Sequence, residues 1–133
     1  EVNDGNAFHA FGGVAGHAGL FTTASDLTRL GRALLAALHG AGLWSAETVR
    51  LFTAPGEDPG QALGFRTASV GGERVVGHSG FPGAEFALLP DAGLVAGLLT
   101  NRLHTWGVVE SIAPWWQRML TVIAEYSEEL ACA

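Results

Sequence analysis

Lysine is missing from this sequence of 133 residues: its basic residues are seven arginines. Any reaction that needs a lysine inside the chain is thereby excluded, including a phosphate loop ending in Lys-Ser/Thr, a Schiff base and a Ser-x-x-Lys nucleophile pair. Cysteine is almost as scarce. Cys132 is the single thiol, so neither an internal disulfide nor a cysteine zinc site can form. His9 and His17 are eight residues apart, with no ligand at a suitable spacing to complete a metal site. No metal and no other cofactor is expected, and both histidines read as packed or loop residues. Positive charge is also short: 13 acids against seven arginines give a net charge of −6. Nucleic acid is not an expected partner, because no basic stripe exists to displace counterions. No apolar run reaches the roughly 18–20 residues needed to cross a bilayer, so no membrane span is expected. The sequence opens at Glu1 without a methionine or a charged segment leading into an apolar one, which reads as a piece of something longer.

What is present is apolar material and glycine. A hydrophobic share of 48% is enough for the core of one compact domain. Residues 1–21 are glycine-rich with aromatic punctuation and read as an ordered loop or close crossing, not a helix. Their glycine spacing does not fit a nucleotide-binding turn. Thr23 with Asp26 three residues later approximates a capping box, and Leu27, Leu30, Leu34, Leu35 and Leu38 follow at helical spacing until Gly40 and Gly42. Ser45 is placed to cap a second, short helix that ends before Pro55-Gly56.

After Gly60 the period changes. The segments 62–69 and 74–78 flank Gly71-Gly72, a two-residue hairpin signal, and 84–89 and 94–100 flank Pro90-Asp91-Ala92-Gly93. Four consecutive strands follow, most simply an antiparallel meander. The run Leu94-Val95-Ala96-Gly97-Leu98-Leu99 is apolar without alternation, the pattern of a strand covered on both faces and usually central. Residues 106–130 carry a second helical pattern with Pro114 near its start and Ser111 as N-cap, and the Trp106, Trp115 and Trp116 cluster is expected to pack as core. The fold class is therefore α+β: an antiparallel sheet of about four strands with helices packed on it, including a long C-terminal helix.

Between two of these strands lies Gly77-His78-Ser79-Gly80-Phe81-Pro82-Gly83. Backbone-permissive residues here let main-chain N–H groups approach a ligand, with an imidazole and a hydroxyl beside them. The same residues also fit a glycine-rich turn whose His78 and Ser79 make only local hydrogen bonds. A Ser79–His78 nucleophile and base pair is geometrically poor, since neighbours on a strand point to opposite faces. The Gly-x-Ser-x-Gly elbow also fails, because Phe81 follows Gly80. The loop can instead offer a polar wall and an oxyanion donor, the N–H that follows Gly80.

His78-Ser79-Gly80 followed by Phe81-Pro82-Gly83, a strand, Pro90-Asp91, an apolar strand and Thr100-Asn101-Arg102 resembles the C-terminal half of the class C-type serine β-lactamase, D,D-peptidase and esterase superfamily. Residues 16–27, a glycine-rich approach to a helix, are similar to the stretch that follows that family's active-site region. The resemblance covers nearly the whole chain and implies one fragment of a β-lactamase/transpeptidase-like domain: a glycine-rich loop and helices over 1–60, antiparallel strands over 61–101 and the C-terminal helix over 102–133. Of the family's three site motifs, Ser-x-x-Lys, Tyr-x-Asn and Lys-Thr-Gly or its His variant, only the third is found, with His78 in place of lysine.

By that resemblance His78 and the backbone N–H of Phe81 take catalytic positions, the latter as half of the oxyanion hole. Ser79 and Gly80 would contact the substrate, and Asn101 corresponds to a residue that touches its carboxylate in some members. The nucleophile must come from outside these residues, so the chain alone is expected to be inactive. An imidazole attracts a carboxylate less than an ammonium does, which favours an esterase or peptide hydrolase at least as much as an antibiotic-cleaving enzyme. The expected partner of the full-length parent is a small-molecule, peptide or ester substrate. The alternative is a non-catalytic binding or scaffold module of the same fold. In the family the 94–100 strand pairs with N-terminal strands, so this chain should expose an apolar edge and self-associate through it.

Overall fold

The computed structural model describes residues 4–18 and 20–131; Cys132 lies outside them. Helix α1 spans Gly5–Phe11, α2 Ala24–Leu38 and α3 Ala46–Thr53; strands β1 Arg66–Val70, β2 Glu73–Gly80, β3 Ala84–Leu89 and β4 Leu94–Leu99 follow, and α4 spans Ala113–Ala131. The strands form one antiparallel sheet in the order β1-β2-β3-β4.

Local chemistry accounts for most of these elements. Thr23 Oγ1 accepts from the Asp26 N–H (3.2 Å) and donates to Asp26 Oδ2 (2.9 Å), so α2 starts on a reciprocal cap. Removing it with Thr23→Ala should cost about 1 kcal/mol, read as a lower urea midpoint, whereas Thr23→Ser should stay near wild type. Ser45 Oγ accepts from the Thr48 N–H (3.0 Å) and caps α3 in the same way. Gly71 and Gly72 carry φ of +57° and +82°, the positive values that a two-residue hairpin turn demands, and the register runs from Val70↔Glu73 to Arg66↔Gly77.

The sheet is covered on both faces. On one, Val70, Val75, Ala87, Leu89 and Ala96 pack against Leu120 and Ala124 of α4. On the other, Val76, Phe86 and Leu88 pack against Leu35 of α2. Gly31 lets α2 sit down on β4, since a Cβ there would stand 2.5 Å from Val95 Cγ1. Ser127 Oγ donates to Glu73 Oε1 (3.0 Å), fastening the far end of α4 to the start of β2.

Four expectations need correction. The region before residue 21 contains a helix: Asp4 caps α1 by accepting from the Ala7 N–H (2.7 Å), and Gly12 closes it at φ +65°. The glycines there end a helix rather than prevent one. The first strand begins at Arg66 rather than Ala62, because Ala62 donates its N–H to the Phe65 carbonyl (2.8 Å) in a tight turn. β4 is an edge strand among the described residues, not a central one; its apolar run reflects the helices on its two faces, not a neighbour on each side. The tryptophans are not one core cluster. Trp116 packs on the α4 face of the sheet, but Trp106 is fully exposed, in the connection before α4, and Trp115 is 69% exposed on the outer side of that helix.

Candidate active site

β2 outruns β1. Their last pair is Arg66↔Gly77, yet β2 continues to Gly80. On its other side His78, Ser79 and Gly80 pair with Phe86, Glu85 and Ala84 of β3. One backbone edge of His78–Gly80 therefore has no strand partner among the described residues. The connecting loop is only Phe81-Pro82-Gly83, shorter than the seven-residue stretch seen in the sequence, because Gly77 to Gly80 extend the strand.

Strand alternation separates the two polar side chains. His78 shares the α2 face with Val76 and Phe86, whereas Ser79 shares the α4 face with Val75 and Glu85. Both are exposed, and no hydrogen bond joins them. A self-contained Ser79–His78 catalytic pair is thus ruled out by the pleat. Ser79 and Glu85 line a cavity of about 130 Å³ under α4, together with Arg66 and Gln117.

The loop is held from one side. Gly83 adopts φ +100°, a region that L side chains rarely enter, and any Cβ there would overlap Thr100 Oγ1. Its carbonyl accepts from both the Thr100 N–H (2.9 Å) and Thr100 Oγ1 (2.9 Å). The Arg102 N–H donates to the Pro82 carbonyl (3.1 Å). Arg102 Nε donates to the Phe81 carbonyl (2.7 Å), and the guanidinium lies 5.0 Å from the centre of the Phe81 ring. Asn101, exposed, is carried between Thr100 and Arg102 and so stands beside the loop. The fold brings together His78, Ser79, Gly80, Phe81 and Asn101 at one end of the sheet, although they come from two separate segments. His9 and His17 lie elsewhere, both exposed, with His17 Nε2 3.9 Å from Asp4 Oδ1. Among the described residues no cluster of His, Cys, Asp and Glu could hold a metal ion, and no helix is long and apolar enough to cross a membrane.

The sequence model of the family described as Beta-lactamase matches residues 1–115. The chain belongs to the β-lactamase family. Over 118 residues this family member is 36% identical to an N-acetylmuramyl-L-alanine amidase of Bacillus subtilis (strain 168), an alignment covering 79% of the chain and 27% of the relative. Over 121 residues it is 32% identical to a provisionally named D-alanyl-D-alanine carboxypeptidase of Escherichia coli O157:H7, and 31% identical to one of E. coli strain K12, with the same coverage in both cases. It spans about a quarter of the length of these relatives. No solved structure gives a significant match. These likenesses make the chain part of a serine hydrolase family. The roles of Thr100 and Arg102 in holding the loop, and the burial of Glu85, were not read from the sequence. Thr100 and Arg102 flank Asn101 in the quoted Thr-Asn-Arg motif, but only their long-range bonds reveal what they hold.

Proposed function

We propose that this chain is the C-terminal part of a serine-acylating hydrolase, in which the open edge of His78–Gly80 and the Phe81 loop form one wall of the cleft. The observation that carries this is the overhang of β2 beyond β1. An extended acyl donor can lie along that edge and exchange main-chain hydrogen bonds with it, as an added strand does. Its scissile carbonyl then reaches the Phe81 N–H, which supplies half of the oxyanion hole. Ser79 and Gly80 contact the substrate on the way, Asn101 meets its carboxylate end, and His78 occupies the position of the family's lysine. The acyl donor is an amide or ester, in keeping with an amidase and carboxypeptidases among the relatives. The nucleophile and base belong to residues outside these 133, since no Ser-x-x-Lys occurs within them.

Treating the complete protein with a fluorophosphonate or a fluorescent penicillin, followed by peptide mass mapping, tests this reading. A single covalent adduct on a serine followed at the third place by lysine, outside the present residues, is the expected result. An adduct on Ser79, or none under conditions where hydrolysis proceeds, would overturn it. A complete sequence lacking both Ser-x-x-Lys and Tyr-x-Asn would instead favour the binding module.

We also propose that the isolated chain self-associates through β4. That strand carries neither a charge nor a proline to block pairing, and its outer edge is open among the described residues. Light scattering should give a mass above 13.8 kDa that falls on dilution; a monomer at high concentration would count against the idea. Replacing the exposed Leu99 by lysine should shift the protein toward monomer.

A further inference from the structure

We propose that Arg102 is a positioning residue for the acyl-transfer step, fixing the loop that presents the Phe81 N–H. This rests on the reading of the chain as part of a serine-acylating hydrolase. Among the described residues Arg102 pairs with no carboxylate; its side chain is committed to main-chain carbonyls. Nε donates to Phe81 (2.7 Å) and Nη1 to Glu110 (3.1 Å), while its own backbone N–H donates to Pro82 (3.1 Å). One residue therefore joins the 81–83 loop, the chain leaving β4 and the connection that leads to α4. The planar fork of a guanidinium suits this task, because its donors point in fixed directions.

The consequence for chemistry follows from backbone geometry. The Phe81 N–H lies on the peptide plane before Phe81 and its carbonyl on the plane after it, so holding the carbonyl fixes one side of the residue. Hydrogen bonding of β2 to β3 through Gly80 fixes the other. The exposed Phe81 ring gains its hold from the guanidinium face at 5.0 Å. Without the Arg102 side chain the loop keeps the Gly83 N–H bond to the Gly80 carbonyl (3.0 Å) and the bonds from Thr100 and the backbone of residue 102 to Gly83 and Pro82. Phe81 is then anchored only on its Gly80 side, and its N–H can tilt about that anchor. An oxyanion donor acts on charge that develops in the transition state, so a loosened donor lowers kcat and leaves ground-state binding nearly unchanged.

The test compares Arg102→Ala and Arg102→Lys with wild type in the complete protein, using an ester reporter and hydrogen exchange of the peptide spanning residues 79–84. Arg102→Ala should lower kcat about tenfold with KM within about twofold. Arg102→Lys, able to make one of the two side-chain bonds, should recover part of the loss. Exchange of the loop should accelerate in the same order. Unchanged kcat in a folded variant, or a change confined to KM, overturns the proposal. If Arg102→Ala does not fold, the lysine variant decides on the same criteria. A wild-type protein that forms no acyl adduct overturns the hydrolase reading and the catalytic role together, while the exchange rates still decide whether Arg102 holds the loop.

Discussion

Replacing Gly83 by valine is expected to destabilise the chain by about 3 kcal/mol or more, a large part of the roughly 5–15 kcal/mol that holds a typical domain together. Two costs combine. At φ +100° a β-branched residue is strained by about 1–3 kcal/mol. Its Cβ would also overlap Thr100 Oγ1 and press on Arg102 Cγ at 3.2 Å, and overpacking of this kind adds about 1–3 kcal/mol. Neither neighbour can yield cheaply, because both are bonded to the loop they would have to leave: Thr100 to the Gly83 carbonyl and Arg102 to Pro82 and Phe81. Gly83→Ala should fall in the same direction with a smaller loss. Urea unfolding followed by circular dichroism gives the answer, and a valine variant within about 0.5 kcal/mol of wild type would mean that the hairpin closes differently from the geometry described here.

The second large effect concerns activity. The isolated 133-residue chain should hydrolyse neither a p-nitrophenyl ester nor a cephalosporin reporter, and in the complete protein Ser79→Ala should lower kcat/KM by about 10- to 100-fold, the value of a hydrogen bond to a charged or polarised substrate group. Ser79 is exposed beside the open edge of β2, so the substitution removes a hydroxyl without leaving a buried cavity, and the folded protein should unfold at an unchanged urea concentration. Ser79→Thr, which keeps the hydroxyl, should retain most of the activity. Hydrolysis by the isolated chain that survives Ser79→Ala would show that a nucleophile lies within these residues and would sink the proposed division of labour.

Much of the architecture could be read in advance because its causes are local. A threonine and an aspartate three apart start α2, a Gly-Gly pair sets the β1–β2 register, and alternation already counted against a Ser79–His78 pair, which the pleat then placed on opposite faces. The failures share a different cause. Trp106 and Trp115 carry the composition of a core, yet burial depends on whether another element arrives to cover them, and among the described residues none does. An apolar strand reads alike at the centre of a sheet and at its edge when helices cover both faces, so β4 was misplaced. α1 was missed because glycines at its two ends obscured a cap made by one aspartate.

The candidate site divides along the same line. Sequence alone determined the excluded chemistries, through the missing lysines, and the residue types gathered in Gly77–Gly83, because these follow from what side chains can do. Only the tertiary structure decided that β2 overhangs β1 and that Thr100 and Arg102, 17 and 21 residues from their loop partners, hold it in place. Such bonds depend on the register of three strands, and no local pattern of residues encodes a contact that exists only after the sheet has formed.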